Sequence, residues 1–482
     1  MALTRYNPDR TAVSREERFF VCKETAFGGP DDVTQIVEPV DADQVMNTAA
    51  ASFKQDPEKR QNKERWGSRS KKKPILGRLT HGKFSLPVYL KPSGTAGTAP
   101  AEGKLLEAAL GATASRAADT VQVGSGTVSS FIPATLSNFK AGQPVLVAIG
   151  THYELRRISV VDTEVHVVPD FSGAPADAAT ITAAVKYSLA EDLPSLVVWR
   201  YLGDEVIIYP GCVVEGLSGL KFDGESDVSA TFAGGYQREI RCGTDKLSLD
   251  VAAAGTLTIT VEDGRKYDIG ARLNLSDGTN TETKLVVTDK AANAAAGHPN
   301  RTDLTVVRGT GAQAWIAADG VDVYPWIPSG ADLGSPIQAR RGACTINDEA
   351  LDVLSVELGL TNKVNWHEKE KTASGKDYVG SYALAEDQSR DIKCNTEVYF
   401  RQKHQGMFVD ANEQTAQDIF VPAFDMDSAG NPVPGHVLVA VVPQSEFKSP
   451  DVGEDAGEFV LKVDTDVYAS SAKNDEFAVW AL

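Results

Sequence analysis

Residues 209–237 read YPGCVVEGLSGLKFDGESDVSATFAGGYQ, and their pattern decides the fold. Leu220 and Phe222 run into Asp223-Gly224, a pair that tolerates the positive φ of a tight hairpin turn, and Val228, Ala230 and Phe232 then alternate with Ser229 and Thr231. A period of two puts one face on a core and the other on solvent or a neighbour. The stretch therefore reads as two strands returning on each other. Val213, Val214 and Leu217 cannot all share one face of a flat strand, so a bulge or bend is expected near Gly216 or Gly219.

Around this hairpin the composition is that of a folded, acidic protein. With 482 residues and 42% hydrophobic content the chain is long enough for about three domains, each with a core. Its 48 Lys and Arg against 66 Asp and Glu give a formal charge of -18, so the surface as a whole repels nucleic acid and a specific DNA binder is not expected. Cys22, Cys212, Cys242, Cys344 and Cys394 are scattered, odd in number and without a C-x-x-C pair, the pattern of a reduced, cytosolically made protein. No apolar run approaches the ~20 residues that cross a bilayer, and MALTRYNPDRTAVSREERFF is too polar for a secretion signal. A soluble protein without membrane contact is expected.

Taken in order, the chain offers Arg18 to Cys22 as a strand and PDDVTQIVEPVD as a second. Residues 44–78 have Met46, Phe53 and Trp66 as isolated apolar positions and carry Lys54, Lys59, Arg60, Lys63, Arg65, Arg69, Lys71, Lys72, Lys73 and Arg78. A stretch of this length with no core face is a solvated basic loop, an arm that orders on a neighbouring copy, or a DNA contact. Glu102 to Leu110 forms a short helix with Leu105, Leu106, Ala109 and Leu110 as its stripe. LVVWRYLGDEVIIYPG gives two strands joined by Gly203-Asp204; Ile392 to Arg401 is a strand whose Val398 and Phe400 alternate with outward Tyr399 and Arg401. Ala411 to Ile419 is a helix, and HVLVAVV and EFVLKV are strands.

Two segments repeat each other. Phe139, Gly142, Val145 and Val147 are followed by a strand closing at Asp162 and then VHVVPDFSG; Tyr267, Gly270, Leu273 and Leu275 keep the same spacings, with a strand closing at Asp289 and then LTVVRGTG. The aromatic plugs one end of a small barrel and the Gly permits its turn. Cys344-Thr345-Ile346 leading to Val356 and Leu358 also echoes Cys212-Val213-Val214 leading to Leu220 and Phe222, so the host sheet is expected to have two similar halves. The division is a host domain in three parts, 1–117 (with the basic arm 44–78), 191–249 and 329–482, interrupted by small β modules at 118–190 and 250–328.

Gly211-Cys212-Val213-Val214 followed by a Leu-x-Phe strand, a Gly turn and a Val-x-Ala-x-Phe-x-Gly strand resembles the core hairpin of tail tube proteins of long-tailed bacteriophages. The resemblance extends to Leu79–Leu110, where a strand exits into a helix ending LLEAALG, to Ala343–Leu360, and to VLVAVVPQSEF near the end; together these patches cover about half the chain. It implies a mainly β, tail-tube type β-sandwich or barrel with a short flanking helix. It also implies rings of six identical chains that stack into the tube of a virion and pass the genome during ejection. The implied partners are further copies, other tail proteins at the tip and terminator ends, and passing double-stranded DNA without specific binding. In such tubes a long N-terminal loop contacts the adjacent ring, which makes Trp66, Arg69, Lys71, Lys72 and Lys73 candidate inter-ring contacts, with Phe222 and Phe232 as inter-subunit ones. The implied location is the virion tail, assembled in the bacterial cytoplasm.

Signals for catalysis are weak. His367-Glu368 lacks the second His of a zincin helix, and Gly216-Leu217-Ser218-Gly219 has its second Gly one residue early for a nucleophile elbow. Gly124-Ser125-Gly126 lacks the third Gly and following helix of a phosphate loop, and Asp425-x-Asp427 and Asp464-x-Asp466 lack a calcium loop. No enzyme, cofactor or metal is expected. The alternatives are a capsid or decoration protein of the same virion, which calls for a long helix, and a carbohydrate-binding adhesin using Trp199, Trp315 and Trp326 as stacking platforms.

Overall fold

A computed structural model describes residues 16–28, 33–60, 62–63, 70, 73–223, 226–252, 257–308, 313–331, 334–338, 344–351, 353–368, 379–384, 390–455, 457–470 and 473–482. The protein is mainly β, with one large antiparallel host sheet and two separate six-stranded sheets.

The host sheet contains the same unit twice. In the first unit β1 (Glu17–Lys23), β2 (Ser52–Lys54) and β3 (Gly82–Tyr89) precede α1 (Gly103–Leu110), and β4 (Leu196–Leu202), β5 (Glu205–Asp223), β6 (Ser229–Tyr236) and β7 (Ile240–Cys242) follow it. In the second unit β8 (Cys344–Ile346), β9 (Val353–Asn362) and β10 (Arg390–Tyr399) precede α2 (Gly406–Glu413). β11 (Ala416–Met426), β12 (Pro432–Phe447), β13 (Asp451–Asp455), β14 (Glu458–Val467) and β15 (Ala478–Ala481) come after.

The pairings repeat as well, all of them antiparallel. β1–β4, β4–β5, β5–β6, β6–β3, β3–β2 and β5–β7 of the first unit reappear as β8–β11, β11–β12, β12–β14, β14–β10, β10–β9 and β12–β15. β13 continues β12 along β14, because the Lys448 N–H bonds the Asp464 carbonyl at 2.8 Å between the Phe447 and Asp451 pairings. Two similar halves were expected, but on a different equivalence. Cys344–Ile346 corresponds to β1 and not to the Cys212 region, since each is the strand that covers the outer edge of a β-hairpin.

Other sequence expectations are corrected by packing. The PDDVTQIVEPVD stretch is not a strand where it is described: Val33–Gln35 and Asp41–Asp43 are single 3-10 turns, Val33 and Ile36 are buried in the core around the second small sheet, and their carbonyls accept from Arg272. Phe400 lies beyond the end of β10 and is 38% exposed, while Val398 is buried. The C-terminal helix is α2, Gly406–Glu413, with Gln414 at φ 53° ending it, and 416–419 is strand. Glu102 precedes α1 as its cap, and Leu105, Leu106, Ala109 and Leu110 are all 0% exposed.

Each small sheet is a barrel. The strands at 119–120, 130–131, 144–149, 152–161, 165–168 and 180–181 lie in the order first, sixth, third, fourth, fifth, second. Those at 245–246, 257–261, 272–276, 281–292, 302–307 and 322–325 take the same order. Val121 bridges Pro133, and Leu247 bridges Val261, joining the first strand of each sheet to its second and closing both. Phe139 and Tyr267 are 3% and 0% exposed inside them. Val160 and Asp289 are the first paired residues after the equivalent bulges, so the expected match of Asp162 with Asp289 does not hold.

The barrels are shorter or longer than the sequence boundaries. Ala184–Leu189 pairs with host strands Gly111–Arg116 and β15, so the first barrel ends before it; the second begins at Asp245. The first barrel has its own core and rests its Leu146, Tyr153 and Leu155 on β11, β12 and β15. The second shares one continuous core with β1, β4, β5 and β7.

Candidate assembly interface

Within the host, one run of strands extends from edge to edge in the order β2–β3–β6–β5–β9–β10–β14–β13. The order is strand two, three, six, five of the first unit followed by the same four of the second. β5 and β9 make the seam between units, with Leu217 opposite Leu360, Leu220 opposite Leu358, Lys221 opposite Glu357, Phe222 opposite Val356 and Asp223 opposite Ser355. The bend expected near Gly216 or Gly219 sits here: the register slips between Val214 and Gly216 against β6 and between Leu217 and Leu220 against β9, where Gly219 has φ 65°. Opposite charges and matched apolar pairs across neighbouring strands each contribute about 0.2–1 kcal/mol.

The two faces of this run differ in kind. Leu86, Phe232, Leu217, Leu220, Leu358, Leu360, Cys394, Val398, Leu461 and Val463 point into the main core and are at most 2% exposed. The opposite face carries Lys83, Thr231, Lys221, Glu357, Asp391, Lys393, Asn395, Glu397, Lys462, Asp464 and Asp466. Carboxylates outnumber cations on it, and ion pairs such as Lys462–Glu397 at 3.1 Å and Lys221–Asp223 at 3.0 Å tie some of them down. Lys221 is held above the usual lysine range chiefly by its hydrogen bond to Asp223.

Both ends of the run lack an outer ladder partner among the described residues. β13 pairs only with β14, and β2 pairs only with β3. Upstream of β2, residues 46–51 keep company with β3, since the Thr48 N–H bonds the Pro87 carbonyl at 3.0 Å and Tyr89 N–H bonds Met46 at 3.2 Å. The basic stretch is therefore anchored at its start. Phe53 stacks on Phe84 at 5.7 Å and Tyr209 at 4.2 Å, and Pro57–Arg60 pairs with Ile75–Leu79 as a hairpin.

The candidate contact residues fall in three groups. Trp66, Arg69, Lys71 and Lys72 lie outside the described residues. Lys73 is exposed. Phe222 and Phe232 are 4% and 0% exposed inside the chain's own core, so they are corrected from inter-subunit contacts to core residues. The alternation that marked them as one face of a strand is satisfied by the same chain. The sequence reading missed β13: Asp-Val-Gly-Glu-Asp has the composition of a turn, and only its pairing with β14 makes it a strand.

The surroundings carry little chemistry. No group of three His, Cys, Asp or Glu close enough for a metal ion occurs among the described residues. All five cysteines are free and buried, and burial pushes the thiols of Cys22, Cys212, Cys242, Cys344 and Cys394 up, away from the reactive thiolate. Trp199 and Trp315 are 0% and 2% exposed, which removes them as sugar platforms; Trp326 is half-buried against Trp199 at 6.2 Å and Lys284 at 4.4 Å. Among the described residues no helix is long and apolar enough to cross a membrane. Compared with known family models and with curated protein sequences, the chain finds no match.

Proposed function

We propose that the protein is a structural subunit that closes into rings through its sheet edges and stacks into a tail tube, the conduit for genome passage in a virion. The observation that carries the reading is the edge-to-edge run of host strands with an apolar face, a polar face and, at each end, a strand that has no outer ladder partner among the described residues. An exposed edge is a template for another strand, and a ring removes both edges at once. Contacts of this obligate kind bury more than about 2,000 Å².

The polar face then lines the channel. Its surplus of carboxylates, and the formal charge of -18, repel phosphates and let a duplex slide without sticking. The two barrels pack on β1, β4, β5 and β7 and on β11, β12 and β15 rather than on β2 or β13, and in this reading they project outward. The work of such a protein is geometric and electrostatic, without catalysis.

A capsid protein is the second reading, and the described residues favour the tube. Their two α-helices are eight residues each, where a shell subunit calls for a long helix. Negative-stain microscopy of the purified protein tests the proposal. Hollow rods or rings of constant width are expected; closed shells, or a monodisperse monomer at all concentrations, overturn it.

A further inference from the structure

We propose that each chain is two consecutive ring positions in one polypeptide, and that β13 of one copy pairs with residues 46–54 of the next, repeating between chains the β5–β9 seam already made within the chain. The inference rests on the ring reading above and adds to it how the ring is joined.

The argument starts from strand order. Each unit contributes strands two, three, six and five, and the internal seam joins strand five of the first unit to strand two of the second. The free ends of the run are strand two of the first unit, β2, and strand five of the second, β13. They are the two partners of one more seam of the same kind. Among the described residues a single chain does not make it, since β2 pairs with β3 and β13 with β14 but not with each other. A second copy, placed head to tail, can.

What covers the seam internally is open at the ends. Leu217, Leu220 and Phe222 of β5 are 1%, 0% and 4% exposed beneath the neighbouring strand, whereas Val452 of β13 is 48% exposed and Phe459 at the start of β14 is 64% exposed. Charge is complementary. The β13 end bears Asp451, Glu454, Asp455 and Glu458, with Lys462 opposite Asp451, and the β2 end leads through Lys54, Lys59, Lys63 and Lys73, all exposed, with Asp56 beside Lys54 at 2.9 Å. At the internal seam Lys221 of β5 faces Glu357 of β9, again opposite charges across the join but with the signs exchanged between strand five and strand two. A contact between different surfaces of identical chains closes into a ring when its rotation divides the circle. With two positions per chain, the ring of six chains implied by the resemblance becomes six positions filled by three chains.

The experiment uses two full-length variants substituted only at exposed residues. V452K/E454K makes the β13 end repel the basic end of a neighbour, and S52E/K54E makes the β2 end repel β13. Native mass spectrometry and light scattering are expected to show each variant alone as a monomer with unchanged circular dichroism, and their 1:1 mixture associating again. In rings of the unmodified protein, end-on class averages are expected to show twice as many inner-wall repeats as chains counted by mass. If either variant alone assembles like the unmodified protein, if the mixture stays monomeric, or if repeats and chains are equal in number, the proposal is overturned. Tubes from the unmodified protein together with unaffected variants sink this seam and leave the tube reading standing. An unmodified protein that stays monomeric sinks both.

Discussion

Gly142 and Gly270 hold the same place in the two small barrels: the N–H of Gly142 bonds the Ile158 carbonyl and that of Gly270 bonds the Val287 carbonyl, both at 2.7 Å. Their φ angles are 81° and 99°, in the left-handed region where a side chain is strained. A Cβ at Gly142 meets nothing within 4 Å, while one at Gly270 meets Ile240 Cδ1 at 3.1 Å and Ile36 Cδ1 at 3.4 Å. Gly142→Ala is therefore expected to cost about 1 kcal/mol from the backbone alone, and Gly270→Ala distinctly more. Urea denaturation of the two variants measures the difference; equal losses would contradict the stated geometry.

Arg272 is the buried pin between the second barrel and the N-terminal segment. Its side chain is 0% exposed and donates to Glu38 at 3.0 Å and to the carbonyls of Gly270, Val33, Thr34 and Ile36 at 2.7, 2.9, 3.3 and 3.4 Å. Arg272→Met keeps the volume but strands those acceptors, and a loss of about 3–5 kcal/mol is expected. The thermal midpoint should fall by several degrees, and protease cleavage should increase near residues 33–38. A variant as stable as the parent would show that water replaces the guanidinium.

Glu102 makes stability depend on pH. It is 0% exposed, neither carboxylate oxygen makes a regular hydrogen bond, and burial raises its carboxyl to about 7 from the ordinary 4.5, against the weaker pull of nearby backbone N–H groups and Lys91. A raised carboxyl means the unfolded chain releases the proton first. The penalty is absent below the unfolded value, grows as pH rises from 4.5 to about 7, and is constant above. Glu102→Gln, neutral at every pH, is expected to gain up to about 3 kcal/mol over the parent at pH 8 and almost nothing at pH 4. Denaturant midpoints at the two pH values decide it, and a gain independent of pH would refute it.

The basic stretch gives a prediction about length of assembly. If the lysines at 71–73 bridge stacked rings, Lys71→Glu, Lys72→Glu and Lys73→Glu together shorten or abolish tubes while rings and fold remain, and raised salt shortens parental tubes as well. Tube lengths measured by electron microscopy test it. Unchanged polymerisation removes the bridging role.

Much of the host was legible because period-two alternation is a local signal. Val228, Ala230 and Phe232, or the HVLVAVV run, announce strands whatever they later touch. The barrels were legible through repeated spacing, since Phe139 to Val147 and Tyr267 to Leu275 must meet the same steric demand at the same turn. The C-terminal helix was misplaced because Ala411 to Ile419 carries helical spacing on both sides of Gln414, whose left-handed backbone stops α2.

By itself the sequence determined the β character, the acidic surface and the duplicated barrels, because composition and side-chain period act residue by residue. Only the tertiary structure decided which strands are equivalent, that Phe222 and Phe232 belong to the chain's own core, and that Asp451–Asp455 is an edge. Those are facts of long-range pairing. A strand's partner is chosen by hydrogen bonds and packing from far along the chain, and Asp-Val-Gly-Glu-Asp becomes a strand only when β14 supplies the other half of its ladder.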